Sequence, residues 1–253
     1  MRMNVLSAGR LRMRKSIYMP SDSKEETVEL PVVSVLLRHP SGNVLFDTGC
    51  ASEAGEDPAG RWGGLAKVMQ PIFDPQDAVV SQLGAHGLAA DDIDVVICSH
   101  LHPDHCGCNA AFARATVYAH KAELAAARAE GAERQGYLPQ EWDIPQGYSE
   151  IESETDLFDD GRIVLVPLPG HSPGLTGARV ELDRDGAFLL ASDAAPMMRH
   201  VDQGYAPKNS WNMDQAIRSL GEIRSQKDRG ATVICGHDDI QWQELSARPE
   251  GFR

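Results

Sequence analysis

Basic residues are few in this 253-residue sequence. Lysine and arginine together number 24 against 37 aspartates and glutamates, which gives a formal net charge of −13 at pH 7. A chain this acidic is repelled by phosphate backbones unless it carries a separate basic arm. We therefore expect no nucleic-acid partner.

Long apolar runs are also missing. The longest, such as the stretch from Val32 to Leu37 that Ser34 interrupts, are far shorter than the ~20 residues that a membrane-spanning helix needs. No apolar block of signal-peptide length follows the basic N-terminal residues. The sequence thus predicts no membrane segment and a cytoplasmic location.

The cysteines are few, odd in number and scattered. They stand at Cys50, Cys98, Cys106, Cys108 and Cys235. This spacing does not fit a disulfide framework, and a closed zinc site on Cys106 and Cys108 would lack the second pair that it usually needs. We expect reduced thiols that pack in the core or near a site.

Short apolar runs alternate with helical patterns along the chain, which is 42% hydrophobic. Strands are predicted over 32–37, 44–46, 95–98, 116–119, 163–168, 187–191 and 231–235, and helices over about 75–86, 121–129 and 213–227. This order predicts an α/β fold in one domain covering 1–253. The stretches 50–73 and 131–160 are predicted to be irregular loops that shape a site.

A dense group of polar residues follows the apolar run that ends at Cys98. It comprises His100, His102, Asp104 and His105. Imidazole nitrogens and carboxylate oxygens are ligands for zinc and other divalent first-row metals. A lone histidine is more often structural, but so many polar groups would be costly to bury without partners. The pattern therefore indicates a metal site.

Three further ligand-type residues follow other predicted strands. His171, Asp193 and His237 each stand one to three residues beyond an apolar run. Strand ends of this kind are where ligand sites gather in sheets with helical cover. Five histidines and two aspartates suit two divalent ions with a carboxylate between them, and zinc is the expected metal.

The spacing His-x-His-x-Asp-His at 100–105 resembles the motif of the metallo-β-lactamase superfamily. The resemblance continues in Pro169-Gly170-His171-Ser172, Ser192-Asp193, Gly236-His237-Asp238 and Leu45-Phe46-Asp47-Thr48-Gly49. It covers nearly the whole chain. Among members of the superfamily, the sequence most resembles the N-acyl-homoserine lactonases, the quorum-quenching branch.

The resemblance implies an αββα sandwich with the site along one edge of two sheets. It implies that one metal is held by His100, His102 and His171, and the other by Asp104, His105 and His237, with Asp193 bridging them. Asp47 is expected to orient a ligand imidazole rather than to bind metal itself.

The expected activity is the opening of a lactone ring by a metal-bridging hydroxide, with Asp104 passing a proton to the leaving alkoxide. The partner is then a small-molecule lactone or ester, and a homodimer stays open. A thioesterase similar to glyoxalase II is an alternative, because it shares the metal pattern. A persulfide dioxygenase that uses one iron is the second alternative.

The sequence departs from the lactonases at Pro196. They resemble one another in placing a tyrosine three residues beyond the bridging aspartate, and proline offers no donor there. We expect either a replacement donor nearby or a different lactone, such as an aromatic or enol lactone. The candidate donors are Arg199, His200 and Tyr205, and the candidate substrate wall in 50–73 includes Trp62, Met69 and Phe73.

Overall fold

The computed structural model describes residues 1–21, 23 and 25–253, whose strands form two sheets. The strands are β1 Arg2–Arg14, β2 Thr27–His39, β3 Gly42–Phe46, β4 Met69–Pro71, β5 Val95–Ile97, β6 Thr116–His120, β7 Ser149–Ile151, β8 Thr155–Asp156, β9 Ile163–Pro167, β10 Thr176–Leu182, β11 Gly186–Ser192 and β12 Thr232–Cys235. The first sheet has the order β4-β1-β2-β3-β5-β6-β7, and the second has the order β12-β11-β10-β9-β8.

Short helices join the strands. They are α1 Lys15–Tyr18, α2 Ser52–Glu56, α3 Pro58–Trp62, α4 Val79–Gln82, α5 Pro103–Cys106, α6 Lys121–Ala127, α7 Pro139–Trp142, α8 Met198–Gln203, α9 Met213–Asp228 and α10 Asp239–Ser246. Single turns of 3₁₀ helix lie at Gly63–Lys67, Pro75–Asp77, Leu83–His86, Ala90–Asp92, Asn109–Ala111 and Ala132–Gln135. Among the described residues, no helix is long and apolar enough to cross a membrane.

The two sheets pack face to face, and each carries helices on its outer side. Between the sheets, Val35 and Phe46 of the first pack with Leu165 and Leu190 of the second. Because successive side chains of a strand point to opposite faces, Leu36 joins the outer cluster beneath the helices instead. β2 is therefore buried on both faces, which explains its continuous apolar run.

The outer face of the second sheet is covered by α8 and α9. Leu220 and Ile223 of α9 pack against Leu189 and Val233 of the sheet. The helix begins where the Asn212 side chain accepts a hydrogen bond from the Gln215 N–H. The four layers confirm the predicted αββα sandwich.

All seven predicted strands are confirmed, but three other predictions are wrong. The helix over 75–86 is broken because Ala78 has extended backbone angles (φ −64°, ψ 144°), so α4 starts only after it. The stretch 50–73 is not an irregular loop, since it forms α2, α3 and the edge strand β4, which pairs with β1. The stretch 131–160 likewise contains α7 and two short strands.

The strand directions bring four loops to one edge of the sandwich. β11 and β12 are parallel, and β9 runs the same way because β10 is antiparallel to both β9 and β11. The loops after β9, β11 and β12 therefore leave the second sheet at a common edge. The loop after β5 meets them there, as the bond from the Thr176 N–H to the Ser99 carbonyl shows at 2.8 Å.

Candidate metal centre

The loop after β5 carries four of the candidate ligands. His102 has an extended backbone (φ −74°, ψ 151°), which is the conformation that a residue before proline prefers. Pro103 then begins α5, which holds Asp104 and His105 on a buried turn. This kink explains why His102 points toward one group of ligands while Asp104 and His105 join another.

Glycines allow two of the other loops to approach closely. Gly170 has φ 142°, and a Cβ there would lie 2.2 Å from the backbone nitrogen of Ala216 on α9. A Cβ on Gly236 would lie 2.6 Å from Oδ1 of Asp193. Larger residues at these positions would push the loops of His171 and His237 away from the edge.

Seven side chains converge at this edge, namely those of His100, His102, Asp104, His105, His171, Asp193 and His237. In the first group, Nδ1 of His102 lies 3.1 Å from Nε2 of His100 and 3.1 Å from Nε2 of His171. In the second group, Oδ2 of Asp104 lies 3.4 Å from Nε2 of His105 and 3.6 Å from Nε2 of His237.

Asp193 lies between the two groups. Its Oδ2 is 3.4 Å from Nε2 of His171, which belongs to the first group. Its Oδ1 is 3.0 Å from Nε2 of His237 and 3.5 Å from Nε2 of His105, which belong to the second. One carboxylate thus contacts both sets of ligand atoms.

The side chains fit metal ions better than they fit one another. Ligands at about 2.0–2.1 Å in a tetrahedron are separated by about 3.3 Å, close to the spacings found here. Nε2 of His105, Nε2 of His237 and Oδ1 of Asp193 are buried, and none makes a hydrogen bond within the described part of the chain. Because buried polar atoms are rarely left without partners, these atoms are suited to face bound cations.

The charge states of the first group and of the carboxylate between the groups also suit metal binding. Burial lowers the pKa of His102 to about 3, and burial lowers the pKa of His100 and His171 as well. Burial alone would raise the pKa of Asp193, but His237 and the other imidazoles lower it well below its usual value. The first group is therefore neutral imidazole and the bridge is carboxylate, which are the forms that coordinate metals.

Asp47 orients His105. Its Oδ2 lies 2.9 Å from Nδ1 of His105, so this nitrogen donates to the carboxylate and Nε2 faces the cluster. The carboxylate also accepts the N–H and the hydroxyl of Ser99, each at 2.7 Å. His237 is held in a similar way, with Nδ1 2.8 Å from the carbonyl oxygen of Pro31.

Glu123 of α6 is a second supporting carboxylate, which the sequence analysis missed. It accepts the Leu101 N–H at 3.1 Å, and the hydroxyl of Ser172 and the N–H of Gly174 at 2.7 and 2.9 Å. It thereby joins the loop of the first two histidines to the loop of His171. An acidic residue in an alanine-rich helix resembles a solvated one, so no sequence signal marked it.

The predicted substrate wall is corrected by the structure. Trp62 is only 2% exposed and donates its indole N–H to Oε1 of Glu141 at 3.1 Å. Met69 and Phe73 are buried in the same apolar cluster beneath the outer helices of the first sheet. The apolar content of 50–73 is explained by packing on this sheet face rather than by contact with a substrate.

The three candidate replacement donors do not point to the cluster either. Nε2 of His200 lies 2.7 Å from the carbonyl oxygen of Tyr18, and the Tyr205 hydroxyl donates to the same oxygen at 3.4 Å. A guanidinium nitrogen of Arg199 contacts Sδ of Met19 at 3.4 Å. All three side chains therefore hold the end of α1.

The comparisons with known proteins agree with this architecture. Residues 27–237 match the metallo-beta-lactamase superfamily. The chain therefore belongs to this superfamily, and the expectation of a metal-dependent hydrolase is confirmed by its relatives.

Within the superfamily, the chain is similar to lactonases. It is 30% identical over 255 residues to the N-acyl homoserine lactonase AttM of Azorhizobium caulinodans, covering 98% of this chain and 97% of that protein. It is 31% identical over 245 residues to the N-acyl homoserine lactonase AiiB of Agrobacterium fabrum, covering 89% and 86%. The predicted resemblance to this branch is thus confirmed.

A solved structure gives the same result. An N-acyl homoserine lactone hydrolase with the product N-hexanoyl-L-homoserine bound at its catalytic metal centre aligns with a TM-score of 0.85 and 26% identity. The alignment covers 96% of this chain and 95% of that one.

Proposed function

We propose that this protein opens lactone rings at a centre of two divalent metal ions, most suitably zinc. The observation that carries the proposal is the position of Asp193, whose two oxygens contact separate groups of candidate ligands. The names of the similar proteins support the substrate class.

Each residue has a definite task in this proposal. The ligands of one ion are His100, His102 and His171, those of the other are Asp104, His105 and His237, and Asp193 binds both. When bound, two such ions would lower the pKa of water and polarise the ester carbonyl. Asp104 would take up the proton that the attacking water gives up and pass it to the departing oxygen, and Asp47 and Glu123 keep the loops in place.

The experiment combines metal analysis with turnover. Protein prepared without chelator should contain close to two zinc ions per chain and hydrolyse members of a lactone panel. Asp193→Ala should abolish turnover while the protein still folds, because the remaining ligands lie on other loops. Full activity with at most one ion, or near-normal turnover of Asp193→Ala, would contradict the dinuclear proposal.

We further propose that the preferred substrate is an aromatic or enol lactone rather than an acyl-homoserine lactone. This finer proposal is based on Pro196, which offers no donor to the substrate carbonyl, because the carbonyl of an ester with an activated leaving group needs less stabilisation of that kind. The panel should therefore include dihydrocoumarin, an enol lactone, an acyl-homoserine lactone and a thioester. The highest kcat/KM on a long-chain acyl-homoserine lactone would overturn it, and the highest on the thioester would favour a thioesterase.

A further inference from the structure

Tyr18, the last residue of α1, is a buried tyrosine next to the cluster. Only 2% of its surface is exposed, and its ring lies 6.0 Å from the ring of His237 at an interplanar angle of 66°. Nε2 of the same His237 lies 3.0 Å from Oδ1 of Asp193 and 3.6 Å from Oδ2 of Asp104. A phenol keeps its proton at neutral pH, so this hydroxyl is available as a donor.

The backbone around Tyr18 is held firmly. Its carbonyl oxygen meets both Nε2 of His200 and the hydroxyl of Tyr205. The preceding carbonyl, that of Ile17, accepts the N–H of Lys208 at 3.0 Å. A short helix of four residues would otherwise fray, so these contacts fix where the phenol stands.

Position 196 has a different task. The carbonyl oxygen of Pro196 accepts the backbone N–H of His237 at 2.8 Å, and its ring has no polar atom. Pro196 and Tyr18 therefore both adjoin His237, but only Tyr18 carries a donor. We expected Arg199, His200 or Tyr205 to replace the missing hydroxyl. These side chains instead hold the end of α1, where Tyr18 carries a hydroxyl.

We propose that the Tyr18 hydroxyl donates a hydrogen bond to the leaving oxygen of the substrate, on the side of the cluster formed by His237 and Asp104. This inference rests on the proposed lactone hydrolysis. A fixed donor in a buried site stabilises charge that develops on oxygen in the transition state. Tyr18 keeps its own proton in this step: the oxygen of water bonds to the carbonyl carbon, the carbon–oxygen bond of the ring breaks, and Asp104 passes the proton given up by the water to the alkoxide.

The test compares two lactones that differ in their leaving group. Tyr18→Phe should lower kcat on γ-butyrolactone, which releases an alkoxide, by roughly 10²-fold. The loss on dihydrocoumarin, which releases a more stable phenoxide, should be much smaller. Zinc content should stay at the wild-type value, and the variant should bind 4-hydroxybutyrate, the ring-opened product, more weakly in calorimetry.

Tyr118→Phe is the matched control, because Tyr118 packs with the core between the sheets. It should leave both rates and the product affinity unchanged. If Tyr18→Phe lowers kcat equally on the two lactones, or does not lower it, Tyr18 only packs beside the substrate. Either result would overturn the inference. If the zinc-loaded wild type opens no lactone, the proposed function fails and this inference falls with it.

Discussion

Asp47 combines an uncommon backbone conformation with several side-chain hydrogen bonds. Its φ is 58°, in the left-handed region that most residues avoid. Its Oδ2 meets His105, Ser99 and Ser192 at 2.9, 2.7 and 3.2 Å, so one oxygen organises parts of both sheets. Asparagine tolerates the same backbone, which makes Asp47→Asn a change of chemistry rather than of shape.

We predict that Asp47→Asn lowers zinc affinity by roughly 10- to 100-fold without loss of the fold. The amide has one acceptor oxygen instead of two, so it cannot accept from both Nδ1 of His105 and the N–H of Ser99, and the imidazole is held less firmly. Competition with a chromophoric chelator would measure the affinity. The control is Asp160→Asn, which alters another His–Asp pair, with His39 at 2.8 Å, outside the cluster. Equal affinities in all three proteins would refute the prediction.

For Trp62, the structure predicts a role in stability, whereas the sequence predicted contact with the substrate. Since it is 2% exposed in the outer cluster, Trp62→Ala should destabilise the fold by about 3–5 kcal/mol. Trp211→Ala, at a tryptophan that is 50% exposed, should change stability little. Denaturant unfolding measures both. A raised KM of Trp62→Ala at unchanged stability would return Trp62 to the substrate wall.

The residues of the cluster could be predicted from sequence because they are dense and follow apolar runs. Tyr18 and Glu123 could not, because each acts through residues far away in the chain. The carbonyl of Tyr18 meets His200, which is 182 positions along. No local pattern encodes such a contact, whereas His-x-His-x-Asp-His is local.

At the scale of elements, α6 holds two loops together. Its Glu123 is fully buried and makes three hydrogen bonds to the loops of the first ligand group. A Cβ on Gly174 would lie 2.4 Å from the Glu123 backbone nitrogen, so the helix and the loop are in direct contact. The first ligand group therefore depends on the position of α6.

Glu123→Gln should weaken binding of one zinc ion while the second remains. The amide would place an NH₂ group against backbone or hydroxyl donors, and a buried donor without an acceptor costs about 1–3 kcal/mol. Glu141→Gln is the matched control, since Glu141 is also buried but pairs with Arg61 at 2.7 Å. It should lower stability and leave the zinc stoichiometry unchanged. Two tightly bound ions in Glu123→Gln would count against the assignment.

Strands were easier to predict than helices for a physical reason. A buried strand needs a run of apolar residues, and these runs are visible in the sequence. A helix also needs unbroken backbone angles, and the side chains near Ala78 give no sign of its extended conformation. The role of 50–73 was missed because a loop that lines a site and a segment that packs on a sheet can have the same apolar composition.

At the scale of the whole molecule, the candidate metal centre joins the two sheets. His100, His102, Asp104 and His105 follow the first sheet, and His171, Asp193 and His237 follow the second. Bound ions would therefore cross-link both halves of the sandwich. Several buried polar atoms of this cluster make no hydrogen bond among the described residues, and such ions would be their partners.

We predict that chelation lowers the Tm and that zinc restores it. A ligand that binds only the folded state stabilises it by about 4 kcal/mol when its free concentration is 1,000 times Kd. Magnesium at the same concentration should not restore the Tm, because imidazole sites favour zinc over that ion. Identical melting of the chelated and zinc-loaded proteins would disprove this prediction.

The position of α1 has a consequence for how such proteins diversify. Tyr18 reaches the cluster from the connection between β1 and β2, whereas every candidate ligand lies at position 100 or beyond. Substitutions in α1 can thus alter what lies beside the cluster without touching the loops of the candidate ligands. Selection for a new substrate has a separate segment on which to act, so specificity can evolve while the underlying reaction is conserved.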